Sequence, residues 1–262
     1  MFHINSRTTP LTFIDINFTN QYKVSMASQQ VRQLLVSLHP TISEMAFMRE
    51  LTAGKFQRQE ILRSEIVELY RALDTREKIQ NIYKNKLSEG VKQGLVTKND
   101  LSLMKEVIDD EGKTDEHIDH LDMRFKLFVG TGIKRGKFPK MNDEIQKIND
   151  EWLNICKEAS LWEIMACHCA IEGWYPAISK MFEIEYRKRG FNDDELEIFI
   201  AHQGADVEHS EAQYGILEQN SSKMDLSNIE KMVKRTFATS KAYEEMKLKL
   251  ANLDKPLNHF FN

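Results

Sequence analysis

Two histidines and an aspartate stand in 199-FIAHQGADVEHSEAQYGIL-217 at His202, Asp206 and His209, spaced by four and then three residues. On a helix, residues four and seven apart lie within about 40° and 20° of each other, so the three share one face. Imidazole and carboxylate are the groups that iron, manganese and zinc take as ligands. Polar groups buried without partners are costly, so a metal is the simplest compensation if that stripe points inward. The competing reading is a solvated face. Glu208, Ser210, Glu211 and Gln213 mark a wet side of the same helix, and Phe199, Ala205, Ala212, Ile216 and Leu217 supply an apolar one.

Two further segments offer ligand chemistry. In 107-VIDDEGKTDEHIDHLDMRF-125, Asp109, Asp110 and Glu111 close a helix, Gly112 breaks it, and His117 and His120 open the next. A carboxylate and a histidine on either side of a short break can meet at one point; the alternative is an exposed acidic linker. In 163-EIMACHCAIEGWYPAI-178, Glu172 lies between Ala170-Ile171 and Trp174-Tyr175. An acid in such apolar company is a ligand, a buried partner for a base, or the last polar residue before Pro176. His168, one turn earlier, is placed either to orient that carboxylate or to sit in the core. Cys156, Cys167 and Cys169 are odd in number and follow no framework spacing, which suits free thiols. Cys167 and Cys169 are two apart on a helix, point to different sides, and read as small buried apolar residues.

The elements that must position these groups are helices. The periodicity predicts helices over 26–38, from 41-TISE-44 to Gly54, 57–73, 75–94, from Asn99 or Asp100 to Gly112, and 115–129. Others follow over 142–171 with a break near Ser160, over 176–189, from an Asn192/Glu195 capping box through the stripe, and over 226–250. Residues 1–24 lack periodicity and read as an irregular arm, and 25–262 as one all-α domain. The final helix, 229-IEKMVKRTFATSKAYEEMKLKL-250, either closes the core or serves a partner or second copy of the chain.

The bulk numbers exclude several classes. The 262 residues are 41% hydrophobic and 29% charged, with a formal net charge of -4 and no long basic tract. That argues against nucleic acid, whose phosphates require clustered Lys and Arg. No apolar run approaches the ~20 residues of a membrane span, and the N-terminus lacks a secretory pattern. The expected partners are therefore small molecules, with no nucleic acid and no membrane, in the cytoplasm.

With these residues in order, the segment from about 105 to 217 resembles the haem-oxygenase-like diiron oxidases and oxygenases. These lie within the superfamily of thiaminase-like proteins and pyrroloquinoline-quinone biosynthesis protein C. The resemblance rests on Glu111 and His117 about a helix break, Glu172 two helices later, and the 202-HQGADVEH-209 stretch. The 128-FVGTGI-133 close and a 172-EGWYPAI-178 turn into a following helix also fit. The resemblance implies a helical bundle of about seven or more helices. It implies two Fe(II) ions, or Mn, held by Glu111, His117, Glu172, His202, Asp206 and His209, with Glu172 reaching both. It implies activation of O2 to oxidise or cleave a small molecule of the amino acid or fatty acid type. The chain departs from the pattern in the Glu111–His117 spacing, which leaves Asp110 as rival to Glu111 and His120 as rival to His117. Tyr70, Tyr83, Trp174 and Tyr175 lie near the site helices, where core packing is the simpler role. Gly204 offers a missing side chain where another helix or a substrate can approach His202. The alternative functions are a cofactorless oxidase or thiaminase-like enzyme of the same fold, and a helical interaction module with a relic metal site.

Overall fold

A computed structural model describes residues 26–110, 120–134, 137–140 and 142–261; the arm at 1–24 lies outside the described residues. The described chain is an all-α bundle whose order is α1 (Met26–Ser37), α2 (Ala46–Thr52), α3 (Arg58–Lys92), α4 (Lys98–Asp110), α5 (His120–Lys126), α6 (Asp143–Glu158), α7 (Leu161–Arg187), α8 (Glu197–Gln219) and α9 (Leu226–Ala251). Extended pairing among the described residues is limited to one isolated bridge between Pro139 and Phe261.

Helix α3 runs without interruption where the sequence suggested a boundary near residue 74. No glycine or proline stands there, and the polar residues that mimic a break are satisfied in place. Thr75 is buried and donates to the Arg71 carbonyl at 2.9 Å, while Asp74 accepts from Gln146 (3.1 Å) and Asn149 (2.9 Å) of α6. Helix α7 corrects a second expectation, because 172–178 is helix and not a turn. Pro176 lacks the amide that would bond the Glu172 carbonyl one turn earlier. Buried Trp174, Ile178, Phe182 and Tyr186 hold the helix across that missing bond.

The break at Ser160 forms as the sequence predicts, through a capping box. Ser160 N–H donates to Glu163 at 2.6 Å and Glu163 N–H to Ser160 Oγ at 3.3 Å. The Asn192/Glu195 box forms too (2.9 and 3.1 Å), but a turn intervenes before α8 begins at Glu197. Thr97, not Asn99 or Asp100, stands at the N-cap of α4, with Asp100 returning a bond to its amide at 2.8 Å.

Helices α3, α6 and α9 pack on one another, α7 joins them to α8, and α1 covers α7 and α8. Helix α5 touches both α3 and α8, which brings residues near 120 to the stripe on α8. At Gly90 a Cβ would lie 2.4 Å from Leu161 Cδ2, so a side chain at that position would force the Leu161 side chain to shift where the end of α3 meets the start of α7. Helix α9 turns Ile229, Val233, Phe237, Tyr243, Met246 and Leu250 into the core and is the closing helix of the bundle.

Candidate metal centre

Glu172 projects from α7 and Asp206 and His209 from α8, the two helices that pack most extensively. Each offers one ligand atom, and these lie within 4.8 Å of one another. Glu172 and Asp206 are 4% and 2% exposed, too little for water alone to solvate two carboxylates.

The Glu172 carboxylate is held from one side. Gln213, fully buried, donates Nε2–H to Oε2. His168 Nδ1 lies 3.3 Å from the same oxygen and 3.2 Å from Gln213 Oε1. Tyr83 donates to Gln213 Oε1 at 3.4 Å and packs its ring edge-on to His168. The other oxygen, Oε1, is buried and accepts no hydrogen bond, with His209 Nδ1 at 3.4 Å. Burial pushes the Glu172 carboxyl up, but the imidazoles of His168 and His209 outweigh it and hold it below the usual range. Burial, and then Glu172 itself, drive the Tyr83 phenol well above its ordinary value, so it stays a donor.

His202 sits one turn along α8 and outside the Glu172–Asp206–His209 cluster. Its Nδ1–H donates to the Ile198 carbonyl at 2.5 Å, which puts the lone pair on Nε2, as in many metal-binding histidines. Its ring centroid is 4.6 Å from that of His120 and 5.3 Å from that of Tyr175. The stripe thus divides: Asp206 and His209 meet Glu172, and His202 meets His120. Glu111 and His117 lie outside the described residues, as does the side chain of Asp110.

The structure corrects the wet side assigned to α8. Ser210 and Gln213 are buried, whereas Glu208 and Glu211 are exposed. Gln213 continues the inward stripe four residues beyond His209, a spacing that could have revealed it. Gly204 also differs from expectation: it is exposed, and a Cβ there would meet nothing within 4 Å. The three cysteines are free and buried, with the Cys156 and Cys167 thiols pushed up to about 12 by burial, so they pack as inert apolar groups.

A cavity of about 190 Å³ opens beside these groups, reaching His120, His168, Glu172, His202 and Asp206. Ile79, Ile155, Ile164, Ile171, Trp152 and Tyr175 make most of its wall apolar. Arg71 and Arg124 also line it, and sequence reasoning passed over both. Charge alone does not separate them from surface arginines; only their contact partners do.

No protein-family model matches the chain, and no curated protein matches it. Among solved structures, two crystal structures of a CADD-like protein of unknown function from Nostoc punctiforme share the fold. They are 15% identical, with TM-scores of 0.57 and 0.55, and cover 86% of this chain and 95% and 93% of the other. That likeness extends over most of both chains and speaks to architecture. No described helix is long and apolar enough to cross a membrane.

Proposed function

We propose that the chain is an O2-dependent, non-haem diiron oxidoreductase acting on a small molecule. The observation that carries this reading is the convergence of Glu172, Asp206 and His209 from two helices, with a buried carboxylate oxygen left without a hydrogen bond. A hard carboxylate pair with imidazole fits Fe(II) or Mn(II) better than a soft thiolate metal, and the group that Glu172, Asp206 and His209 form includes no cysteine. His202, with its Nε2 lone pair, and Glu111 and His117 complete the set of six. Bound iron would supply the redox chemistry with O2 that protein side chains lack.

The residues of the chain have separable roles in this reading. Gln213 and His168 fix Oε2 of Glu172, so that Oε1 faces His209. The Ile198 carbonyl sets the tautomer and angle of the His202 ring. The apolar cavity wall limits water beside the site and receives the substrate body.

Metal analysis after anaerobic Fe(II) loading tests the proposal. Wild type should retain about two irons per chain, and His202→Ala and His209→Ala should retain less. Wild-type protein that keeps no iron would sink the diiron reading and favour a cofactorless enzyme. Unchanged iron in His202→Ala would remove that residue from the ligand set.

A further inference from the structure

The two most exposed large apolar side chains among the described residues are Val129, at 58%, and Phe138, at 55%. They flank one lobe. The chain leaves α5 at Lys126, turns at Gly130 and Gly132, both at positive φ, and returns to Pro139. The two ends are pinned together at the C-terminal segment. Phe128 packs its ring edge-on to Phe261 at 6.1 Å, Pro139 pairs with Phe261 in the isolated bridge, and the Lys140 amide donates to the Phe260 carbonyl at 2.7 Å. Val129 and Phe138 each stand one residue from that anchor, so one small region of the surface carries both. Closed ends of this kind hold a loop in a compact shape.

The charges on this segment are of one sign. Between Asp122 and Asp143 the sequence has no acid. Lys134, Lys137 and Lys140 are exposed, and none of them makes an ion pair among the described residues. Lys126, at the end of α5, differs: Asp194 holds it at 3.0 Å and Glu197 at 2.6 Å. In a chain of net charge -4, three lysines without ion pairs beside two exposed apolar side chains are a local reversal of sign.

That combination selects the partner. A stable protein interface covers about 800 Å² on each side and is depleted of lysine, whereas a fully covered Phe accounts for only about 150–250 Å². A nucleic acid has a use for the lysines and for a ring on which a base can stack, but none for Val129. An anionic lipid surface takes both kinds of group. Apolar side chains enter the headgroup layer while lysines extend their charges to the lipid phosphates.

We propose that the lobe carrying Val129 and Phe138 seats the chain on an anionic lipid surface, with Lys134, Lys137 and Lys140 meeting the headgroups. Attachment of this kind is reversible, since neither the apolar pair nor the lysines would anchor the chain alone. The expectation of no membrane partner rested on spanning runs, and a surface contact needs none. Nothing in this attachment depends on iron.

Co-sedimentation of the full chain with vesicles tests it, using phosphatidylcholine alone and an equal mixture of phosphatidylcholine and phosphatidylglycerol. Wild type should bind the mixed vesicles about a hundredfold tighter than the neutral ones, at about fivefold per lysine. Replacing all three lysines together (Lys134→Gln, Lys137→Gln and Lys140→Gln) should bring the two within about fivefold. Phe138→Ser should weaken binding to the mixed vesicles about tenfold. Melting temperatures should stay at the wild-type value, because all four side chains are exposed. Equal binding to the two kinds of vesicle, or binding to neither, would overturn the assignment. So would mixed-vesicle binding undiminished in the triple lysine variant or in Phe138→Ser. A single-stranded oligonucleotide bound more tightly than the mixed vesicles would overturn it in favour of nucleic acid.

Discussion

The two charged regions of the interior are compensated in different ways. Around Glu65, cations and carboxylates alternate: Lys247 lies 3.0 Å from Glu65, Tyr186 donates to Glu65 at 2.6 Å, and Arg71 pairs with Glu68. The Lys247 ammonium also lies over the Phe182 ring at 4.5 Å. Around Glu172, by contrast, the carboxylate faces the imidazoles of His168 and His209, and no Lys or Arg ion pair with Glu172 is found among the described residues. Buried charge that is paired within the protein belongs to the fold, whereas buried charge of one sign implies something still to be bound. The difference divides the interior into a part that should fail by unfolding and a part that should fail by losing a ligand.

Glu172→Gln should produce the largest effect. It keeps the shape of the side chain but removes the charge, so iron binding under anaerobic loading should fall below detection. Because the imidazoles of His168 and His209 hold the Glu172 carboxyl below its usual range, its charge adds some stability to the metal-free fold at neutral pH, so metal-free Glu172→Gln should lose a little stability. A loss of stability in metal-free Glu172→Gln as large as that of Lys247→Met would break the comparison, since it would show that Glu172 serves the fold first.

Lys247→Met reverses the pattern. It leaves Glu65 buried opposite an apolar chain, which costs about 3–5 kcal/mol, read as a shift in the denaturant midpoint. Iron content per folded chain should stay at the wild-type level. Glu244→Gln sharpens the same point through pH. Burial raises the Glu244 pKa from its ordinary 4.5 to about 7. Between those values the folded state keeps a proton that the unfolded state releases, so wild-type stability falls as pH rises through this window. Gln carries no such proton. Relative to wild type, Glu244→Gln should therefore gain about 3 kcal/mol between pH 4 and pH 8 at ~1.36 kcal/mol per pKa unit. A stability difference that does not vary with pH would show that folding leaves the Glu244 pKa at its ordinary value.

The sequence made the two regions unequally legible. The ligand stripe could be read because Asp206 and His209 recur at helical spacing on a single element, and Glu172 stood out among Ala170, Ile171, Trp174 and Tyr175. Helix ends with local chemistry were also readable, as at Ser160 and Glu163. Residues whose role depends on another helix were not. Arg124 gains its meaning from Glu65, Glu68 and the cavity wall, none of which is near it in sequence. Lys247 had a faint signal, since it interrupts the buried series Tyr243, Met246 and Leu250. Pro176 misled because local propensity favours a break, while packing on both sides of it favours continuation.

Gln213 supplies the finest test, because it lies between the two kinds of region. It is uncharged and fully buried, and it bonds Glu172 with one end while receiving Tyr83 with the other. If its role is to aim Glu172, Gln213→Leu should weaken iron binding by about 10–100-fold, the usual effect of losing a group that orients a ligand. The volume is nearly kept, so the fold should survive, although the Tyr83 hydroxyl is left without this acceptor. Gln213→Glu discriminates further. It keeps the acceptor for Tyr83 but sets a second carboxylate against Glu172, so it should weaken iron binding through repulsion and misplacement while the chain still folds. If both variants bind iron like wild type, the hold on Glu172 comes from His168 alone, and the aim of the carboxylate is set by α7 rather than by the contact between α7 and α8.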